Sequence, residues 1–439
     1  MKHLAALPLF LLLTSCDGDT QGAPDAATEA APIEAGPDVD NGAPSTNYPA
    51  PHPDLPQLVN ASNGPVLTTP DVYLIFFPSY TDENALDTFG QSFAASQSYW
   101  TATTSEYGVG AISYKGKIDL TDAPPTTISQ ADLGTWVASE IQGGAFGTPD
   151  PEAIYTIVYP STTTITQPNP VSSALGTVNS CQAFYGYHDN VSVTLGDAGA
   201  PTNFAYAVIP TCGPLPTITE TLSHEWVEAS TDPFLTASGT FTLSGGPTAA
   251  YYSPDQDHII WSLLGGGEAA DLCGTEGDAI YISVPAFGND WVQRTWSNAS
   301  AAASHDPCVP PITTPFFDSA PVLTETVTFD SALTGSVTTK GVTIPQGQSK
   351  TIEVDLFSDG DTGGPWTVSA DDVLSTYYGD YGIQQTLAFA WDRTSGQNGE
   401  KLHLTITVTG PSIVAGAHAF MITSSLGPKS MIWPGLVVE

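Results

Sequence analysis

Residues 219–233 read TETLSHEWVEASTDP and have the periodicity of an amphipathic helix. Apolar side chains recur every three or four residues and predict one buried stripe: Ile218, Leu222, Trp226 and Ala229. His224 and Glu228 are four residues apart on the roughly opposite face, so their side chains project from adjacent turns. Asp232 precedes Pro233 and is disfavoured from helical angles, which predicts the helix end. We therefore expect a helix with an apolar back and two polar side chains facing a cleft.

The polar face of this helix has the chemistry of a metal site. Imidazole nitrogen and carboxylate oxygen both bind zinc, and their one-turn spacing lets His224 and Glu228 share one ion. Glu225 lies about 100° further round the helix, near the metal without being needed as a ligand. We predict that Glu225 is the catalytic base.

A third ligand must come from another part of the chain. The stretch GGGEAADLCG, residues 265–274, offers Glu268 as that ligand and Asp271 three residues later. We expect Asp271, or alternatively Asp232, to accept the free ring N–H of His224 and so fix its tautomer. A site of one histidine and two carboxylates should bind zinc less tightly than a site with two histidines, so manganese, iron and calcium stay open.

The remaining histidines are weaker candidates. His258, in the stretch SPDQDH, is a candidate for stabilising an oxyanion in the cleft. In the same stretch Asp255 and Asp257 have usable calcium spacing, but the closing Glu of the twelve-residue calcium loop is missing and a solvated loop is favoured. His188 and His305 have no partner at ligand spacing.

The charge of the chain restricts its partners. The 439 residues include 46 Asp and Glu against 9 Lys and Arg, a formal net charge of −37. Such a field repels phosphates, which excludes nucleic acid and anionic lipid surfaces as expected partners. A strongly acidic composition is also typical of a soluble exported protein.

The N-terminus has the pattern of an export signal. Residues 1–15 combine a basic start with an apolar run too short to span a membrane, and they end in Leu-Thr-Ser before Cys16. This resembles a lipoprotein signal and predicts lipid on Cys16, with an ordinary signal peptide as the alternative. Residues 16–58 are rich in Ala, Pro and acids, which predicts a disordered stalk. The expected location is the bacterial cell envelope, held by the lipid, or the secreted fraction.

The other four cysteines are expected to form two disulfides, because the compartment is oxidising. Of three possible connectivities we favour Cys181–Cys212 and Cys273–Cys308, since sequence neighbours close the shortest loops.

Hydrophobic patterns divide the chain into two units. Continuous apolar runs such as VYLIFF and AIYTIVY predict buried strands, and helical periodicity occurs between them, which indicates an α+β domain over residues 59–311. From residue 316 to 439 short alternating strands are separated by Gly, Asp, Ser and Asn turns, which predicts an all-β sandwich.

The order of several motifs resembles a family of secreted bacterial and fungal proteins that are regarded as zinc-dependent peptidases. In this chain the motifs are NGPVLTTPDVYLIFF, EYGVG, CQAFYGYHDNV, FAYAVIPTCG, LSHEWVEASTDP, GGEAADLC and WSNA, between residues 63 and 309. The helix motif differs in one letter from the zinc-peptidase signature His-Glu-x-x-His. The Glu-x-x-Asp element is also similar to one in thermolysin-like peptidases, although the spacing there is one residue longer. The resemblance implies a zincin-like mixed sheet with an active-site helix, and Zn²⁺ as the cofactor.

The expected function is hydrolysis of a protein or peptide substrate by a metal-activated water, with Glu225 moving the proton. The C-terminal unit is expected to bind a surface polymer or a protein, and a membrane only through the N-terminal lipid. The alternative is a non-catalytic surface lipoprotein or adhesin with a degenerate peptidase-like domain. The Glu in place of the second motif histidine is the main argument for that alternative.

Overall fold

The computed structural model describes residues 40–78, 80–168, 176–196, 199–235, 249–264, 266–277, 282–283, 290–331, 335–379, 383–412 and 416–439. The signal peptide and the lipidation site at Cys16 predicted from the sequence lie outside these residues. Within them the chain mixes helix and strand, with more strand than helix distributed over several sheets. The α+β class predicted from the sequence is confirmed at that level.

The first unit contains one main sheet and several short pairings. Its strands are β1 Leu58–Val59, β2 Asp71–Phe76, β3 Ser113–Asp119, β4 Thr127–Ser129, β5 Ala153–Tyr159, β6 Thr164–Pro168, β7 Thr177–Asn179, β8 Tyr187–Thr194, β9 Pro201–Pro210, β10 Ser253–Pro254, β11 Ile282–Ser283, β12 Trp291–Val292, β13 Thr295–Trp296 and β14 Cys308–Val309. Its helices are α1 Glu83–Ala95, α2 Gln97–Thr104, α3 Gln130–Gly143, α4 Leu215–Thr231 and α5 Asn298–Ala302, with 3₁₀ turns at Ser105–Tyr107, Gln256–Leu263 and Asp271–Thr275.

The main sheet has the order β3-β2-β5-β9-β8. β2, β3, β5 and β9 are parallel, and β8 pairs antiparallel with β9 at one edge. Both faces are covered, which explains why β2 reads as a continuous apolar run. Leu74 and Phe76 pack in the core with α1 and α4, while Ile75 and Phe77 pack in the core with α3. The sheet therefore separates two layers of helix, and α4 lies on the side of α1.

The second unit consists of two facing sheets. Its strands are β15 Phe317–Pro321, β16 Glu325–Ser331, β17 Gly335–Thr343, β18 Ser349–Ser358, β19 Trp366–Asp372, β20 Leu387–Trp391, β21 Ser395–Gly396, β22 Lys401–Val408, β23 Ala417–Leu426 and β24 Lys429–Val438, with one helix, α6 Val373–Tyr378. The orders are β15-β18-β22-β20 and β16-β17-β24-β23-β19-β21. The sheets meet through Phe317 and Trp366, whose ring centroids are 5.2 Å apart.

The stalk predicted over 16–58 is corrected for its described part, residues 40–58, which packs against the folded units instead of standing free. Residues 41–52 contact the second unit, and Leu58 donates its backbone N–H to Oδ1 of Asn298 in the first unit at 2.7 Å. Ala50 is buried and donates its backbone N–H to Oδ1 of Asn398 at 3.0 Å, and His52 stacks on Phe357 at 3.7 Å. The segment has too little apolar surface to fold by itself, but the β-rich unit supplies the partner groups.

Both disulfides form as predicted, Cys181 with Cys212 and Cys273 with Cys308, at Cα separations of 5.0 and 5.8 Å. Among the described helices, none is both long enough and apolar enough to cross a bilayer.

Candidate metal centre

Helix α4 carries the motif, and its apolar side is fixed to the main sheet. The indole Nε1–H of Trp226 donates to Oγ1 of Thr156 at 2.9 Å, and the ring packs edge-on against Phe93 at 5.0 Å. The helix ends at Thr231 with Asp232 as its C-cap, as predicted from Pro233. The opposite face does not line an open cleft as expected, because every residue from 218 to 231 is buried.

Two groups of potential metal ligands meet at this helix and share Glu228. One consists of His224, Glu228 and Asp271, and the other of His188, Glu228 and Glu268. In each group the three ligand atoms all lie within 4.8 Å of one another. The arrangement can hold a divalent cation through imidazole nitrogen and carboxylate oxygen.

Glu228 is held so that one oxygen faces both histidines. Its Oε1 accepts the backbone N–H groups of Ala270 and Asp271 at 3.1 and 3.0 Å. Its Oε2 lies 3.0 Å from Nε2 of His224 and 3.9 Å from Nδ1 of His188. Oε2 and Nε2 of His224 are close enough for an ionic contact when His224 is protonated, but within the described part of the chain neither forms a well-directed hydrogen bond. A shared cation would satisfy both atoms.

The ligand set predicted from the sequence is divided between these groups. His224 and Glu228 come together as expected from their helical spacing. Glu268 lies instead with His188, whose Nε2 is 3.4 Å from its Oε1. Asp271 lies on the ligand side of His224, with Oδ1 3.5 Å from Nε2. The histidine at 188 therefore has ligand partners that its sequence neighbours did not reveal.

The tautomer of His224 is set by a residue that the sequence did not indicate. Nε2 of Gln293 donates to the carbonyl of Ala270 at 2.6 Å, so its Oε1 is the atom that accepts Nδ1–H of His224 at 2.8 Å. The lone pair on Nε2 of His224 then faces the carboxylates. The roles proposed for Asp271 and Asp232 as acceptors of this ring N–H are therefore wrong. Gln293 lies between β12 and β13, where its backbone N–H donates to Oγ of Ser223 on α4 at 2.9 Å. No local sequence spacing encodes its contact with the ring.

His188 has the matching arrangement on the other side of Glu228. Its Nε2 is 3.2 Å from the backbone carbonyl of Asp232, and a carbonyl can only accept. The remaining nitrogen, Nδ1, is 3.6 Å from Oε2 of Glu225. Asp232 itself binds the backbone N–H of Ala250 through Oδ1 at 2.6 Å. Each histidine thus has one ring nitrogen beside an outer acceptor and the other beside Glu228, while Nε2 of His188 is also the nitrogen nearest Glu268.

The strand carrying His188 approaches α4 closely because residue 186 is glycine. A Cβ atom at Gly186 would lie 2.6 Å from Oε1 of Glu225 and 2.6 Å from Cγ2 of Thr221. Only a residue without a side chain lets the start of β8 lie this close to the motif. In the sequence, this contact is encoded by the Gly-Tyr-His order of residues 186–188.

Several buried acidic atoms point into the cluster without partners. Among the described residues the atoms without a hydrogen bond include Oε2 of Glu225, Oδ2 of Asp232, Oε1 of Glu268 and both carboxylate oxygens of Asp271. Groups so deeply buried normally have hydrogen bonds, and a bound cation or an ordered water would satisfy these oxygens. The Lys and Arg side chains that the structure describes make no ion pair with these acids, and the histidines are their only nearby basic groups.

The pKa shifts of these buried groups agree with a cluster that binds a cation. Burial raises the pKa of Glu268 and of Asp271 well above the ordinary values, and the Glu228 carboxylate raises both further. Burial raises the pKa of Asp232 to about 7. Burial opposes the charged form of His224, yet Glu228 outweighs it and the pKa of this imidazole is well above its usual range. The cluster therefore requires positive charge, which protons supply when no cation does.

Two other predicted or apparent sites lie elsewhere. His258 places Nδ1 2.8 Å from Oδ1 of Asp255 and Nε2 3.0 Å from the carbonyl of Asp54. It lines a cavity of about 380 Å³ beside the second unit, so the proposed oxyanion role does not agree with its position. Glu276 and Asp306 lie together at Arg294, which forms ion pairs with both and explains that acidic group without a metal.

Comparisons with known proteins add little. No protein-family model matches the chain, and no curated protein matches it. Among solved structures, it is similar to the surface-layer protein SbsC, domains 1-6, with 16% identity and a TM-score of 0.16. The similarity covers 30% of this chain and 18% of that chain, and a similarity this weak carries no argument about fold or function.

Proposed function

We propose that the chain is a metal-dependent peptidase, with zinc as the first candidate metal. The observation that carries the proposal is the buried cluster around His-Glu-x-x-Glu, in which ring nitrogens of two histidines and several unpartnered carboxylate oxygens converge. The motif family that the sequence resembles points to the same chemistry. Manganese, iron and calcium are alternatives because the donor set is rich in carboxylates.

The architecture supports a zincin-like assignment. A mixed sheet has one antiparallel edge strand, β8, and the motif helix α4 follows β9 directly in the chain. His188 on β8 faces Glu225 and Glu228 on α4. β8 is the last strand of the described sheet on this side, the position at which an extended peptide adds to a sheet.

Each residue has a proposed role. Glu228 and His224 are the central metal ligands, and Glu268 and Asp271 supply further carboxylate oxygens. A bound metal would polarise the scissile carbonyl and acidify a water molecule. Glu225 accepts the water proton on its unpartnered Oε2 and delivers it to the leaving amine. Nδ1 of His188 lies 3.6 Å from the same Oε2 of Glu225 and would help to orient this carboxylate.

We also propose that the protein acts outside the cytoplasm, secreted or anchored through Cys16 to the cell envelope. Two disulfides support an oxidising compartment. The second unit is then the part that binds a surface polymer or a protein, next to a peptide or protein substrate in the first unit.

The test separates metal binding from chemistry. Glu225→Gln should keep the bound metal and lose about 10²- to 10⁴-fold in turnover of a fluorogenic peptide library, because Gln cannot take a proton. Glu228→Ala and Glu268→Ala should instead lower the metal content. Glu140→Gln, on α3 across the sheet, is the matched control and should change neither. Full turnover by metal-replete Glu225→Gln would refute the mechanism.

A non-catalytic surface protein is the second candidate, and complete burial is the observation that favours it. Glu225 and Glu268 are each only 1% exposed, so the described residues leave a substrate little access. In that case the metal stabilises the fold. No turnover would then be detectable, Glu225→Gln would have no effect, and a chelator would lower the melting temperature.

A further inference from the structure

We propose that the cluster binds two divalent cations, bridged by Glu228. The inference rests on the proposed metal site and deepens it, because a single ion was the expectation from the motif. The two groups that share Glu228 have one histidine and two carboxylates each.

The distances argue against one ion using both histidines. Ligand atoms bound to one zinc at about 2.0–2.2 Å are at most about 4.4 Å apart. Within the described part of the chain, no three-residue group meeting the 4.8 Å limit includes both His188 and His224. A single cation can therefore take only one of these two imidazoles as they stand.

Both imidazoles nevertheless have one ring nitrogen in contact with an outer acceptor. His224 donates from Nδ1 to Gln293, and His188 contacts the carbonyl of Asp232 through Nε2. The second nitrogen of each ring faces Oε2 of Glu228, at 3.0 Å from His224 and 3.9 Å from His188. An outer acceptor on each ring is the arrangement that orients a metal-binding histidine. With only one ion bound, one of these two ring nitrogens facing Glu228 would have no metal to bind.

Charge balance supports the second ion. Five buried carboxylates approach or join the two groups: Glu225, Glu228, Asp232, Glu268 and Asp271. Fully ionised and with neutral histidines they carry −5, so one divalent cation leaves −3 and two leave −1. One cation therefore leaves more of the charge for protons to balance than two cations do, which favours the second cation. A carboxylate bridge commonly holds two ions roughly 3.5–4 Å apart.

The experiment counts metal ions. Purified protein stripped with a chelator is loaded with Zn²⁺, desalted and measured by native mass spectrometry and by elemental analysis. The wild type should bind two ions per chain. His188→Ala and His224→Ala should each bind one, and Glu228→Ala should lose both. His403→Ala is the matched control, because this histidine pairs with Asp392 in the second unit, and it should keep two.

Each other outcome has a definite meaning. One ion in the wild type that His188→Ala does not reduce overturns the second site and leaves the proposed peptidase standing. No bound ion overturns both. If a variant fails to fold, Mn²⁺ loading of the wild type decides by electron paramagnetic resonance. An exchange-coupled signal supports the pair, and the hyperfine pattern of an isolated ion overturns it.

Discussion

Gln293→Leu should weaken metal binding although Gln293 is not a metal ligand. The amide accepts Nδ1–H of His224 at 2.8 Å and donates to the carbonyl of Ala270 at 2.6 Å. Leu has a similar size and neither group. The substitution therefore removes the contact that keeps the lone pair of Nε2 directed at Glu228.

The size of the effect depends on how much the metal-bound protein loses, relative to the metal-free protein, when the contact with Gln293 is removed. With metal bound at Nε2, the proton of His224 must remain on Nδ1, and without Gln293 it is a buried donor with no acceptor. Such a group costs about 1–3 kcal/mol. The metal-free protein avoids part of this cost by moving the proton to Nε2, beside Glu228. The difference should weaken binding by about 10- to 100-fold, as for other outer partners of metal-bound histidines.

The assay is competition for Zn²⁺ against a chromogenic chelator at neutral pH. Gln293→Glu is the paired variant, because its carboxylate still accepts Nδ1–H of His224 but cannot donate to the carbonyl of Ala270, so its affinity should lie between those of Gln293→Leu and the wild type. Circular dichroism and a thermal melt in excess chelator check that both variants fold. A dissociation constant for Gln293→Leu equal to that of the wild type would refute this account of the tautomer.

Three further predictions test other parts of the structure. Burial raises the pKa of Asp318 from 3.8 to about 7, so the folded state keeps a proton that the unfolded state releases; the contribution of Asp318 to the free energy of unfolding should be fully present below about pH 4 and fall by up to about 4 kcal/mol towards pH 7. In urea titrations across that range, the wild type should lose about that much more stability than Asp318→Asn, and the same pH profile in both contradicts the assignment. Gly186→Ala places a methyl group 2.6 Å from Oε1 of Glu225, so it should lower metal affinity or the melting temperature, and unchanged values for both would contradict the close approach. Asn398→Ala should release the N-terminal segment and speed its limited proteolysis within residues 40–58, whereas wild-type cleavage rates would show that the segment is held by other contacts.

Local patterns in the sequence determined a large part of the fold. The helix of the motif ends where Pro233 requires it, and His224 meets Glu228 because helical geometry alone makes residues four apart neighbours. The strands β2, β5 and β9 follow their apolar runs. The cysteine pairing agrees with the shortest loops. In each case the information lies within one element or in simple chain connectivity.

Only the tertiary structure shows which histidine joins His224 in the cluster and which residues contact the two rings from outside it. His188 reaches Glu228 only because β8 pairs antiparallel with β9 and Gly186 lets that edge approach α4. Gln293 reaches His224 from a loop far along the chain. Sheet order and strand register are set by packing over the whole domain, and sequence spacing within a motif contains no information about them.

The sequence also did not predict which polar residues are buried. The polar face of α4 has the alternation of a surface helix, so an open cleft was expected, yet the glutamates and histidines of the cluster lie inside the domain. Residues 40–58 show the converse, because a composition typical of disorder becomes ordered where Asn398 and Phe357 offer contacts. The sequence pattern around a residue indicates only whether that residue favours a buried or an exposed environment. Whether it is buried depends on which surfaces the rest of the chain brings against it, and that is decided only when the units fold together.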